Sequence, residues 1–221
     1  MHAYVLHSRP YKETSALLDV FTEQGRQRVV LRGARRSKGH KVQLFSLYAI
    51  EWAGRSELKT LTQFDNLECT PPLIGERLFC GFYLNELLTR LLPEQDAYPI
   101  LFELYQVALF ALREQQPIEP ILRQFEWQLI VQLGYGYSLT EDSDQQPLQA
   151  EQYYQLQPDV GFCASYPHQQ HYLGADILCL SEADWEKQHT LRVAKRLMRQ
   201  TLAFHLKGQP IISREFFTRP L

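Results

Sequence analysis

The densest chemistry in this sequence lies in Arg26-Gln27-Arg28-Val29-Val30-Leu31-Arg32-Gly33-Ala34-Arg35-Arg36-Ser37-Lys38-Gly39-His40-Lys41. Strand alternation puts Arg26, Arg28 and Arg32 on one exposed face, and the Gly-flanked loop that follows adds Arg35, Arg36, Lys38 and Lys41. Cations on a strand face beside a loop can follow a phosphate backbone without reading a base sequence. The bland alternative is a solvated charged face. Rings near such a surface can stack on any base, and Tyr11, Tyr48 and Trp52 are the candidates; Phe21, Phe45 and Phe64 sit in apolar runs and are expected in the core.

A second basic group comes at helical spacing. Arg192, Lys195, Arg196 and Arg199 recur at i, i+3, i+4 and i+7 and form one stripe, while Leu191, Ala194, Leu197, Met198 and Leu202 form the other side. Four like charges on a stripe repel, so an anion is expected against them, either nucleic acid or an acidic part of the chain itself. Arg123 stands apart from both groups. Helical spacing sets it beside Trp127 and near Ile130, where a guanidinium next to an apolar surface could hold a ligand carboxylate, or could pair locally with Glu119 or Glu126.

Signatures of catalysis are weak. There is no G-x-x-x-x-G-K-[ST] run, and Gly134-x-Gly136 lacks the third glycine of a dinucleotide fingerprint. His168 and His171 have no cysteine at zinc-finger spacing. Asp142-Ser143-Asp144 resembles the start of a calcium loop, but Pro147 occupies a ligand position and the closing Glu is missing. The cysteines Cys69, Cys80, Cys163 and Cys179 are scattered, which argues for free thiols rather than a disulfide framework or a cysteine zinc site.

The elements that must position these residues follow from charge, period and turn signals. Residues 1–60 carry a net +6, residues 61–186 a net −15 and residues 187–221 a net +7, so the overall charge of −2 conceals two basic ends around an acidic middle. That distribution attracts a polyanion without a basic protein overall. At 221 residues and 45% hydrophobic the chain can bury one good core or two modest ones. No apolar run is long enough for a bilayer and the first residues lack a signal-peptide core, so the expectation is a cytoplasmic, nucleoid-associated protein without membrane contact.

Short β-rich runs at 3–8, 16–22, 26–32, 44–52 and 58–64 are separated by Arg9-Pro10, Glu23-Gln24-Gly25, Gly33 to Gly39 and Gly54-Arg55-Ser56, and predict a small closed barrel. After Thr70-Pro71-Pro72 the period lengthens, predicting helices over 73–92, 99–112 and 118–133. Gly134 opens an irregular stretch to about residue 180 with a small hairpin near Gly161-Phe162. Ser181 is expected to cap the start of further helix, and 190–206 to form the last long one. The division is an N-terminal barrel domain, 1–70, and a mainly helical domain, 71–221, with an insertion at about 135–180; the class is α+β.

The strings 3–15 (Ala3-Tyr4-Val5-Leu6-His7-Ser8-Arg9-Pro10-Tyr11-Lys12-Glu13-Thr14-Ser15), Leu18-Asp19-Val20-Phe21-Thr22 and Gly33-Ala34-Arg35 closely resemble the RecO family of bacterial DNA-repair proteins. The likeness continues in order through Tyr83-Leu84-Asn85-Glu86-Leu87-Leu88, Leu122-Arg123-Gln124-Phe125-Glu126, Leu133-Gly134-Tyr135-Gly136 and Ser213-Arg214-Glu215. It implies an OB-fold barrel joined to a helical domain, strand annealing, and loading of recombinase onto single strands coated by single-stranded-DNA-binding protein (SSB), in the RecF pathway and together with RecR. It also implies a site for the acidic, phenylalanine-ended SSB tail, carried over to Arg123, Trp127, Ile130, Leu84 and Leu88. Many members bind zinc through paired cysteines after Leu-Gly-Tyr-Gly. Here 137–162 contains no cysteine, so no metal is expected and packing of Tyr153, Tyr154 and Phe162 must hold the loop.

The reading that results is a DNA-binding recombination mediator with no catalytic residue, no cofactor and no metal, acting on single- and double-stranded DNA. Its rivals are a metal-dependent nuclease using Glu141, Asp142 and Asp144, and a protein-interaction module that does not bind DNA.

Overall fold

The computed structural model describes residues 1–36, 41–54, 58–68, 70–182, 185 and 187–217. Five strands, β1 (His2–Tyr11), β2 (Ser15–Thr22), β3 (Gly25–Leu31), β4 (Leu47–Ala53) and β5 (Lys59–Asn66), close a barrel in the order β1-β2-β3-β5-β4. The β3–β5 pairing is parallel, the others antiparallel, and β4 returns to β1 through His2 opposite Ala49. This is the OB-like barrel that the five short runs predict.

Alternation fills the barrel with one face of each strand: Ala3 and Val5, Ala16, Leu18 and Val20, Val29 and Leu31, Tyr48 and Ile50, Leu61 and Phe64. Yet every residue of β2 is buried. The reason lies outside the barrel. Helices α1 (Gly75–Leu91) and α2 (Pro99–Arg113) follow it, and Phe102 and Tyr105 of α2 meet Tyr4 and Phe21 on the outer face of β1 and β2, with ring centroids 5.1–6.1 Å apart. Buried Asn85 of α1 donates to Leu6 O (2.9 Å) and accepts from Tyr105. Strands covered on both faces lose the polar half of their alternation, which is why the sequence runs on as well as alternating.

Two compact units result, Met1–Gln116 with Ile211–Leu221, and Pro117–Pro210. In the first, a 3-10 helix at Ile212–Phe217 lies on α1, its Ile212 and Ser213 N–H groups donating to the Glu86 carboxylate (2.9 and 2.8 Å) and its Phe216 packing on Phe79 and Phe82. The second contains α3 (Ile118–Gln132), a three-stranded sheet of β6 (Tyr153–Gln157), β7 (Gly161–Ser165) and β8 (Tyr172–Leu173) in the order β7-β6-β8, then α4 (Gly174–Ser181) and α5 (Gln188–His205). Trp127, Tyr137, Phe162 and Tyr172 form a chain of edge-to-face rings, and Tyr137 hydrogen-bonds Thr201. Tyr154 and Phe162 are fully buried and Tyr153 half-buried, so packing anchors this segment as the sequence requires.

Two local expectations need correcting. Ser181 ends α4 rather than capping a helix start, and its hydroxyl donates back to Leu178 O (2.7 Å). The stretch expected to be irregular contains, besides its hairpin, a third short strand and α4.

Candidate nucleic-acid interface

The basic run divides at the end of β3. Arg26 is not on an exposed face: its side chain is 10% exposed, its Nη1 lies 3.5 Å from Asp19 and 3.3 Å from Glu94, and its Nε donates to Leu92 O (3.2 Å). Arg28 shares the same carboxylates, 3.1 Å from Asp19 and 3.4 Å from Glu94. Two guanidiniums and two carboxylates cancel, and the cluster fastens the barrel to the segment after α1. Gly25 makes this approach possible, because at φ +106° a Cβ there would stand 2.0 Å from Asp96 O.

Beyond β3 the cations stay free of carboxylates. Arg32, Arg35, Arg36 and Lys41 are exposed, and none makes an ion pair among the described residues. Lys38 lies outside those residues. The turn carrying Arg32, Arg35 and Arg36 is held by backbone bonds, Arg35 N–H to Thr14 O (3.0 Å) and Arg36 N–H to Gly33 O (3.1 Å), so it sits against the β1–β2 turn. Between the two is a cleft of about 410 Å³ lined by Tyr11, Lys12, Thr14, Ser15, Arg32 and Arg36 together with Val30, Gly33, Leu58 and Thr60. None of these lining residues is acidic. Lys12 is the residue that sequence reasoning missed; its neighbour in the Tyr11-Lys12 turn was counted, and the cation beside it belongs to the same site.

Of the rings, Tyr48 is 1% exposed and stacked on Phe64 inside the barrel (4.1 Å), its hydroxyl bonded to Gln43, so it is core. Tyr11 and Trp52 remain half-buried, each with a lysine over its face, Lys12 at 5.4 Å and Lys59 at 5.1 Å. Phe21, Phe45 and Phe64 are buried, as expected.

The stripe on α5 is also mixed. Lys195 bonds Glu119 of α3 (2.6 Å), and that hydrogen bond holds the Glu119 carboxyl below the ordinary range. Arg196 donates to His171 O and lies over the Tyr172 ring, 3.8 Å from its centroid. Arg192 and Arg199 are exposed, with no ion pair among the described residues. One of the four thus finds the acidic middle of the chain and one a carbonyl and a ring.

Arg123 takes the local pair: it lies 2.7 Å from Glu126, with the two side chains 8% and 0% exposed. Trp127 is half-buried against Tyr137. Ile130, Leu84 and Leu88 are fully buried, which corrects their assignment to a groove; Leu84 and Leu88 belong to the first compact unit and Ile130 to the second. Asp142 accepts the Asp144 and Gln146 N–H groups (both 2.9 Å) in a turn. Among the described residues no three His, Cys, Asp or Glu side chains gather as metal ligands would, and no helix is long and apolar enough to cross a membrane.

Comparison with known proteins agrees along nearly the whole chain. Residues 1–69 match the family model described as recombination protein O N terminal, and residues 74–215 the one described as recombination protein O C terminal. DNA repair protein RecO of Stutzerimonas stutzeri is 50% identical over 216 residues, 97% of this chain and 92% of the relative. That of Pseudomonas putida is 49% identical over 218 residues, covering 98% and 96%, and that of Pseudomonas aeruginosa 49% over 215, covering 97% and 92%. The barrel, the helices after it and the likeness over nearly the full length make this chain a member of the RecO family.

Proposed function

We propose that the chain is a DNA-binding recombination mediator and strand-annealing protein that acts with RecR on SSB-coated single strands and performs no chemical step. The observation that supports it best is the cleft at the barrel rim, where Lys12, Arg32 and Arg36 converge beside Tyr11 with no acidic lining residue. Cations that have no internal carboxylate are the ones left to neutralise phosphates. Two complementary strands repel through their backbones, and a surface that holds one strand in a neutralised state lowers that barrier to pairing. Arg26 and Arg28 do not belong to this surface, Arg35 and Lys41 extend it, and Arg192 and Arg199 offer a separate basic surface on the second unit.

Arg123 is the proposed cation for the carboxylate of the SSB tail, with Trp127 as the apolar neighbour. Because Glu126 already neutralises Arg123, docking requires the guanidinium to exchange that carboxylate for the tail's or to hold both.

The test is the salt dependence of single-strand binding. Each phosphate contact contributes a slope of about −0.7 in log K against log salt, so Lys12→Ala/Arg32→Ala/Arg36→Ala should flatten the slope by about 2. An unchanged slope would move the DNA elsewhere.

A further inference from the structure

A face of α2 points away from the barrel and carries what a core would normally hold. Ile100, Val107 and Phe110 are 54%, 64% and 59% exposed. With Glu103 and Glu114 they fall at i, i+3, i+7, i+10 and i+14, one continuous stripe about 15 Å long between Ile100 and Phe110 at about 1.5 Å per residue. Single exposed apolar residues need no explanation, but three on a stripe that opens into a groove do. The groove has a volume of about 550 Å³, its walls Val107 and Phe110 on one side and Pro71 and Pro72 on the other, with Glu68 and Arg113 within.

The groove has a sign. Glu68 and Glu114 line it, Glu103 lies on the same α2 stripe, and the one cation among the lining residues is committed: Arg113 donates to Phe45 O and lies 3.8 Å from Glu68. Glu68 Oε2 is buried with no hydrogen-bond partner, and so is Arg113 Nε. The walls also exclude one kind of guest. Pro71 and Pro72 have no N–H, and the backbone of α2 is satisfied within its helix, so neither wall offers the donors that pairing with an extended strand requires. A guest must bring a satisfied backbone of its own and bind by side chains.

We propose that this stripe and groove form a docking site for a partner protein that presents a short amphipathic helix, apolar on the facing side and flanked by Lys or Arg. The apolar side chains of that helix cover Val107 and Phe110, and its cations meet Glu68, Glu103 and Glu114. The site is distinct from the basic rim and has the opposite charge preference, so an acidic peptide is repelled by it.

The experiment is a display selection of helical 18-residue peptides on the immobilised full chain, with the enriched peptides then titrated against the parent protein and Val107→Asp/Phe110→Asp. Both positions are exposed, so melting of the double variant should match the parent. Expected are peptides with Leu or Phe at i, i+3 or i+4 and i+7 beside Lys or Arg, bound at least about tenfold more weakly by the double variant, and more weakly by Glu114→Lys. Enriched peptides that are acidic, that bind the variants as well as the parent or that are displaced by oligonucleotide would overturn the proposal, as would a selection that enriches nothing.

Discussion

Replacing Arg26 by Met separates the two roles the sequence allows it, phosphate contact and internal strut. Met keeps the length and apolar body of the side chain and removes the guanidinium. In the folded protein that guanidinium touches Asp19, Glu94 and Leu92 O, and Asp19 is 10% exposed. Breaking one side of a buried ion pair costs about 3–5 kcal/mol, and the low end applies here because Arg28 stays 3.1 Å from Asp19 and Glu94 is partly solvated. A loss of about 3 kcal/mol corresponds to roughly 6–12 °C in melting temperature for a chain of this size. Thermal melting followed by circular dichroism measures it, and a cycle with Asp19→Asn should return a coupling of about 1 kcal/mol or more. Single-strand titrations on the same variant, run well below its melting point, should keep the parent salt slope. A melting shift under about 2 °C, or a slope flattened by about 0.7, would show that Arg26 serves DNA and that the strut argument is wrong.

Arg123→Ala should weaken binding of an SSB tail peptide at least tenfold, since a charge-assisted bond is worth about 1.5–3 kcal/mol; it should also lower the melting temperature, because it removes the guanidinium 2.7 Å from buried Glu126. Calorimetry with the peptide beside a DNA titration decides it, and equal losses for both ligands would remove the tail site from Arg123. For Glu86, burial raises the carboxyl but hydrogen bonds from Ser213, Ile212 and Arg90 outweigh it, leaving the group below its ordinary value. Its contribution is therefore present above about pH 4.3 and lost as pH falls through the lower folded value. Melting between pH 6 and 3 should drop more steeply for the parent than for Glu86→Gln. Elemental analysis should find less than one zinc per chain, and a strong chelator should leave the melting temperature unchanged.

The barrel was legible because its inner positions alternate, and the first three long helices because Pro71, Pro93, Pro117 and Gly134 punctuate them. The role of Arg26 and Arg28 was hidden by counting charge along the chain instead of across strands. A two-residue turn at Glu23-Gln24 sets Thr22 opposite Gly25, and that register already puts Asp19 opposite Arg28. Glu94 could not be found that way, since it arrives from beyond α1. Tyr48 was misjudged because β4 alternates and a ring on either face reads alike until the partner Phe64 is placed. Arg123 and Glu126 were legible as an i, i+3 pair; which of two carboxylates it would choose was not. The short α4 was lost because eight residues leave too little period to separate a helix from a loop.

The carboxylate of Glu86 has a consequence for how the molecule is made. Residues 211–217, which it binds, belong with the first 116 residues, and the whole 117–210 unit lies between them in the chain. During synthesis at about 5–20 residues per second, α1 and α2 emerge on the order of 5–20 seconds before Ile212 and Phe216 can reach Phe79 and Phe82. Over that interval the later unit is being made while the earlier one keeps an aromatic face open to water. The first unit to be translated is thus the last to be completed, and a ribosome stalled near residue 210 would leave that aromatic face uncovered.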